Sequence, residues 1–134
     1  MTFGIKSTSK LKKIIQEAVS QKHGTIVVFA ENAKDEAERL KESGISIEPI
    51  DISTGKLVGE ITSIDGAIIC DISGICYLIG VILDGESSKK TDLSRGARYN
   101  SAIRYIEKQK NIHKKTFVVV VSEDGYVDCF SSEQ

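Results

Sequence analysis

Four apolar, largely β-branched runs constrain this chain most: Thr25–Ala30 (TIVVFA), Gly66–Cys70 (GAIIC), Ile75–Leu83 (ICYLIGVIL) and Thr116–Val121 (TFVVVV). None approaches the roughly 18–20 residues needed to cross a bilayer, and their length and β-branching fit buried strands. Strands this apolar on both faces must be covered on both sides. The segments between them carry helical spacing. Leu11, Ile14, Ile15, Ala18 and Val19 form one apolar stripe, with Ser9 as a candidate N-cap and Gly24 as a stop. Asn32 caps a second helix with Ala33, Ala37 and Leu40 on one face and Gly44 at its end. Leu57, Ile61 and Ile64 mark a short third helix. Arg95–Lys110 forms a fourth, burying Tyr99, Ala102, Ile103 and Ile106.

Ile45, Ile47 and Ile50 alternate around Pro49, the one proline, as in a short strand. Asp71-Ile72-Ser73-Gly74 joins the second and third apolar runs into a hairpin. Asp124-Gly125 turns the fourth back into Tyr126–Phe130. Asp84–Ser94 is polar and reads as a loop. The expected fold is α/β, with residues 1–134 as one domain. A mixed central β-sheet is flanked by helices on both faces, with the two longest apolar strands central.

Length and charge narrow the function. At 134 residues the chain is long enough to bury a core without staples. Eighteen basic and 19 acidic side chains leave a net charge of −1, so no global field gathers nucleic acid or a membrane surface. Direct nucleic-acid binding is not expected, and any anion site must be local. The first residues lack the apolar core of a signal peptide, and a cytoplasmic setting is the default expectation. Cys70, Cys76 and Cys129 lie among apolar residues with no C-x-x-C pair and read as small buried hydrophobes. His23 and His113 sit near predicted helix ends, where the expected role is satisfying a last-turn carbonyl.

No P-loop, G-x-G-x-x-G, H-E-x-x-H or G-x-S-x-G motif is present. Three segments stand out instead. Asp65-Gly66-Ala67 precedes a very apolar strand, where a carboxylate can hold Mg²⁺ or Mn²⁺ and accept a proton; a simple turn aspartate is the alternative. Gly96-Ala97-Arg98-Tyr99-Asn100 opens a helix, whose unpaired N–H groups and Arg98 fork suit a phosphate; a capped surface helix with solvated arginines is the alternative. Ser122-Glu123 ends a strand and adds a hydroxyl and a second carboxylate, or merely polar residues before a turn. Each lies at the end of a predicted strand or beside it. Loops converging there make a metal–triphosphate site chemically sensible.

At these residues the chain resembles the diadenylate cyclase domain, the catalytic module of DNA-integrity-scanning and membrane-bound cyclic-di-AMP synthases. That family carries D-G-A, then a G-T-R-H-R-like motif at a helix start, then a strand ending in S-E. The opening helix, the His23-Gly24 turn and the following strand are also similar, so the likeness spans roughly Leu11 to Phe130. The resemblance implies condensation of two ATP molecules into cyclic-di-AMP and two pyrophosphates. It implies a homodimer or larger assembly, with Mg²⁺ or Mn²⁺ held by Asp65 and Glu123. Asp65 and Arg98 would be catalytic. Gly66, Ala67, Gly96, Ala97, Arg98, Tyr99, Asn100, Ser122 and Glu123 would contact ATP or another adenine nucleotide.

The sequence departs from the family pattern within one motif. Ala97 replaces the threonine, Tyr99 the histidine and Asn100 the second arginine. Arg95 and Arg104 lie near but off the matching positions, and Lys89 and Lys90 of the preceding loop are candidate substitutes. A catalytically degenerate nucleotide-binding sensor of the same fold is therefore the alternative function.

Overall fold

The computed structural model describes residues 5–21, 23–54, 56–85 and 96–133, with the backbone alone of residues 5–8. Ser94, Arg95, Lys89, Lys90 and most of the predicted loop lie outside the described residues. Within them the elements run α1 (Ile5–Val19), β1 (Thr25–Ala30), α2 (Ala33–Arg39), a 3₁₀ turn (Lys41–Ser43), β2 (Ile45–Asp51), α3 (Leu57–Thr62), β3 (Ala67–Cys70), β4 (Ile75–Val81), α4 (Ala97–Asn111), β5 (Thr116–Val121) and β6 (Val127–Ser131).

The strands form one mixed sheet in the order β2-β4-β3-β1-β5-β6. Among the described strands only β1 and β3 pair in parallel; the remaining ladders are antiparallel. Alternation along the strands sends side chains to opposite faces. Ile26, Val28, Ile69, Val118 and Val120 pack under α2 and α4 with Ala37, Ala102 and Tyr105. Val27, Phe29, Ile68, Val119 and Val121 pack under α1 and α3 with Leu11, Ile14 and Val58. The mixed sheet with helices on both faces is as expected, and β1 and β5 have the expected bounds.

Several local expectations need correction. The middle of the sheet is β3 and β1, and β3 has only four residues; the seven-residue β4 lies one strand in from the β2 edge. β2 carries Pro49 at that edge, where a missing N–H costs no internal ladder bond. Ser9 lies inside α1 rather than capping it, and α1 stops at Val19, well before Gly24. Cys129 is exposed, because β6 is the other edge strand; Cys70 and Cys76 are buried and face each other across β3 and β4. The last carbonyls of α4 are satisfied by main chain. The His113 N–H donates to Lys110 at 3.1 Å and the Lys114 N–H to Gln109 at 3.0 Å, with His113 at φ 57°. Nε2 of His23 is buried without a partner, so this nitrogen caps no carbonyl.

A polar chain ties α2 to α4. Tyr105 donates to Glu36 Oε1 at 2.6 Å, and Arg39 forks onto Glu36 at 2.7 and 2.8 Å. Arg39 also bonds Asp84, which Lys108 approaches at 3.3 Å. Burial pushes the Glu36 carboxyl up, but the bonds from Arg39 and Tyr105 outweigh it and hold it below its ordinary range.

Candidate functional site

The ladder registers bring distant segments to one end of the sheet. Ile26 lies beside Ala67 in the parallel pair, and Thr25 beside Val121 in the antiparallel pair. Continuing both registers past the strand ends places Gly24 between Asp65 and Ser122. With strands about 4.8 Å apart, the main chains of Asp65 and Ser122 stand roughly 10 Å apart. These are the amino ends of β1 and β3. The carboxyl end of β5 joins them because β5 runs antiparallel to β1.

Gly66 shapes the β3 end. Its φ is 115°, and a Cβ there would lie 2.6 Å from the carbonyl carbon of Gly80. Only glycine permits this approach of β3 to β4. Asp65, just before it, is exposed, whereas Ala67 is buried in the sheet.

Across β1, a cleft of about 480 Å³ opens between the amino end of α4 and the β5–β6 hairpin. Gly96, Ala97, Arg98, Tyr99, Val120, Ser122, Asp124, Tyr126 and Asp128 line it. Gly96 caps α4 at φ 89°, without a side chain to cover the first N–H groups of the helix. The Asn100 N–H donates to the Gly96 carbonyl at 3.2 Å. The cleft thus meets the positive end of a 15-residue helix, where Gly96 and Ala97 are exposed.

Arg98 is half-buried beside this end, with its Nη2 3.6 Å from Glu123 Oε1. Glu123 is 70% exposed, so the pair is solvent-screened and leaves the guanidinium open to a stronger anion. Ser122 Oγ accepts the Tyr126 N–H at 3.0 Å, which fixes the hydroxyl and leaves its own proton to donate. Tyr99 meets Phe130 edge-on at 5.3 Å between ring centres and forms one wall of the cleft.

The sequence-predicted residues thus divide. Gly96, Ala97, Arg98, Tyr99 and Ser122 share one cleft, with Glu123 beside Arg98. Asp65, Gly66 and Ala67 do not line it; they occupy the same sheet end on the other side of β1. Asn100 is buried and does not line the cleft either. Arg104 lies further along α4, away from the lining residues. Tyr126, Asp128 and Val120 belong to no sequence motif, and Asp124 is marked in the sequence only as a turn residue. Period-two alternation along the hairpin was the available signal, since it puts Val120, Ser122, Tyr126 and Asp128 on the α4 side. Among the described residues no three His, Cys, Asp or Glu side chains group around a metal position.

Over residues 12–134 the chain matches the family described as DisA bacterial checkpoint controller nucleotide-binding, the DAC domains. The chain belongs to this family. Among solved structures, DacA from Staphylococcus aureus, an N166C/T172C double mutant, superposes with a TM-score of 0.65 at 21% identity, covering 96% of this chain and 87% of that one. A hypothetical membrane spanning protein from Bacillus cereus gives a TM-score of 0.60 at 20% identity, covering 93% of this chain and 62% of its own. Both share the fold with the present DAC domain. A comparison with curated proteins gave no match. Among the described residues no helix is long and apolar enough to cross a membrane.

Proposed function

We propose that this DAC domain binds ATP with a divalent metal at the amino end of α4 and, facing a second copy of itself, condenses two ATP molecules into cyclic-di-AMP. The observation that carries the reading is the shared cleft. The amino end of α4, the Arg98 guanidinium and the Ser122 hydroxyl all border one space of about 480 Å³. These are phosphate-binding groups by chemistry. Membership of a nucleotide-binding family supplies the ligand class.

In this reading Arg98 and the α4 N–H groups hold phosphate oxygens, and Ser122 donates one further bond. Asp65 receives the proton of the ribose 3′-hydroxyl. That oxygen attacks the α-phosphorus of the facing ATP, the α–β bridging P–O bond breaks, and pyrophosphate leaves. The reciprocal attack closes the ring and releases a second pyrophosphate. Two nucleotides must face one another, so the working unit is a homodimer or larger. Asp65 and Glu123 are the carboxylates that would hold Mg²⁺ or Mn²⁺. Two carboxylates suit an ion that takes its remaining oxygens from phosphate and water. When bound, the ion would neutralise charge on the phosphates.

One observation favours a second reading, a sensor that binds nucleotide without turnover. Arg98 is the sole basic side chain among the described residues lining the cleft, and the Asn100 position is buried. Incubation of the protein with ATP and Mn²⁺ or Mg²⁺, followed by chromatography, separates the readings. Cyclic-di-AMP and pyrophosphate formed by wild type and lost in Asp65→Asn support the cyclase. Saturable ATP binding with intact ATP selects the sensor. Neither binding nor product refutes both.

A further inference from the structure

We propose that Gly24 is a positioning residue for Arg98: its bare Cα is the platform on which the guanidinium rests, and this placement sets the phosphate affinity of the cleft. The inference rests on the phosphate-binding role of Arg98 proposed above. Gly24 is buried immediately before β1, within the stretch that the registers place between Asp65 and Ser122. A Cβ at Gly24 would lie 2.6 Å from Arg98 Nη1, 2.7 Å from Cζ and 3.0 Å from Nε. All three of its nearest neighbours belong to that one guanidinium.

The backbone gives no separate reason for glycine here, since Gly24 is not among the residues with positive φ. An alanine fits the main-chain geometry, and the added methyl would displace only the end of a flexible, half-exposed side chain. Ordinary contact begins near 3.4 Å, so the guanidinium would have to move by roughly 1 Å. A stable fold tolerates that shift. A charge-assisted fork onto phosphate does not, because such bonds need both distance and angle. Gly24→Ala therefore separates stability from binding. It also restricts the unfolded chain, so stability holds or rises.

The test measures ATP affinity in Mg²⁺ by calorimetry, and Tm, for wild type, Gly24→Ala, Arg98→Ala and the double variant. Gly24→Ala is expected to keep or raise Tm while weakening ATP binding by about 10- to 150-fold, the loss of one charged hydrogen bond. The double variant is expected to bind like Arg98→Ala alone, since no guanidinium remains to be displaced. Wild-type affinity in Gly24→Ala, with a clear loss in Arg98→Ala, overturns the positioning role and leaves the phosphate site standing. A double variant weaker than Arg98→Ala shows that Gly24 acts elsewhere, including through misfolding, and also overturns it. Undiminished binding by Arg98→Ala, or no ATP binding by wild type, overturns the phosphate site and this inference together.

Discussion

Replacing Tyr105 with phenylalanine removes a single oxygen from the centre of the α2–α4 interface. Tyr105 is fully buried, and its hydroxyl donates at 2.6 Å to Glu36, itself 3% exposed. Arg39 supplies two further bonds to the same carboxylate, so Glu36 stays ionised after the substitution but under-satisfied. A hydrogen bond to a buried charged group contributes about 1.5–3 kcal/mol, and phenylalanine preserves the packing of the ring. The expected loss is roughly 2 kcal/mol, or roughly 6–10 °C in Tm for a domain of this size. Urea unfolding should show a lower midpoint at unchanged slope. In a cycle with Glu36→Gln the two losses should not add, because both act on one bond. A Tm within 1 °C of wild type, or strict additivity, refutes the argument that this chain of polar contacts anchors α4, and with it the helix end that carries Arg98.

Two further outcomes follow from the polar and thiol groups. Asp51 bonds Lys10 at 2.7 Å and the Ser53 hydroxyl at 2.6 Å; burial pushes its carboxyl up, yet these bonds prevail and lower it to about 2. Its stabilisation is complete above the ordinary aspartate range and fades as pH falls through about 2. Asp51→Asn should therefore cost about 1 kcal/mol at neutral pH, after screening of a side chain 30% exposed, and almost nothing near pH 2; equal losses at both pH values in urea titrations contradict this. Burial pushes the Cys70 thiol well up, and Cys129 is exposed. A thiol reagent should label Cys129 alone in the native protein and all three cysteines after unfolding; rapid native labelling of Cys70 would show that the β3–β4 core opens.

The elements read most clearly from sequence were those whose signal is local. TIVVFA and TFVVVV became β1 and β5 at their expected bounds, because a β-branched run cut off by Gly24 or by Ser122 has few other options. Strand order was less legible. The four residues of β3 are central only because β1 pairs with them in parallel after a long crossover, and no local pattern specifies that partner. The loops of the candidate site could be chosen by their chemistry, since glycine, arginine and carboxylates gather at strand and helix ends. Their grouping could not. Arg98 and Gly24 are 74 positions apart in sequence, and the reason for a glycine at 24 exists only where α4 crosses the β1 end. Tyr126 and Asp128 carry no motif in the sequence; only the β5–β6 register places them in the cleft.

A crystal structure of the domain grown with Mn²⁺ and a non-hydrolysable ATP analogue bears most directly on the pocket itself. The predicted result is an anomalous Mn²⁺ peak about 2.2 Å from an Asp65 carboxylate oxygen, with a phosphate of the same nucleotide within hydrogen-bond distance of Arg98 and the first N–H groups of α4. Nucleotide density on another face of the sheet, or phosphates turned away from Arg98 with Asp65 in solvent, would contradict it.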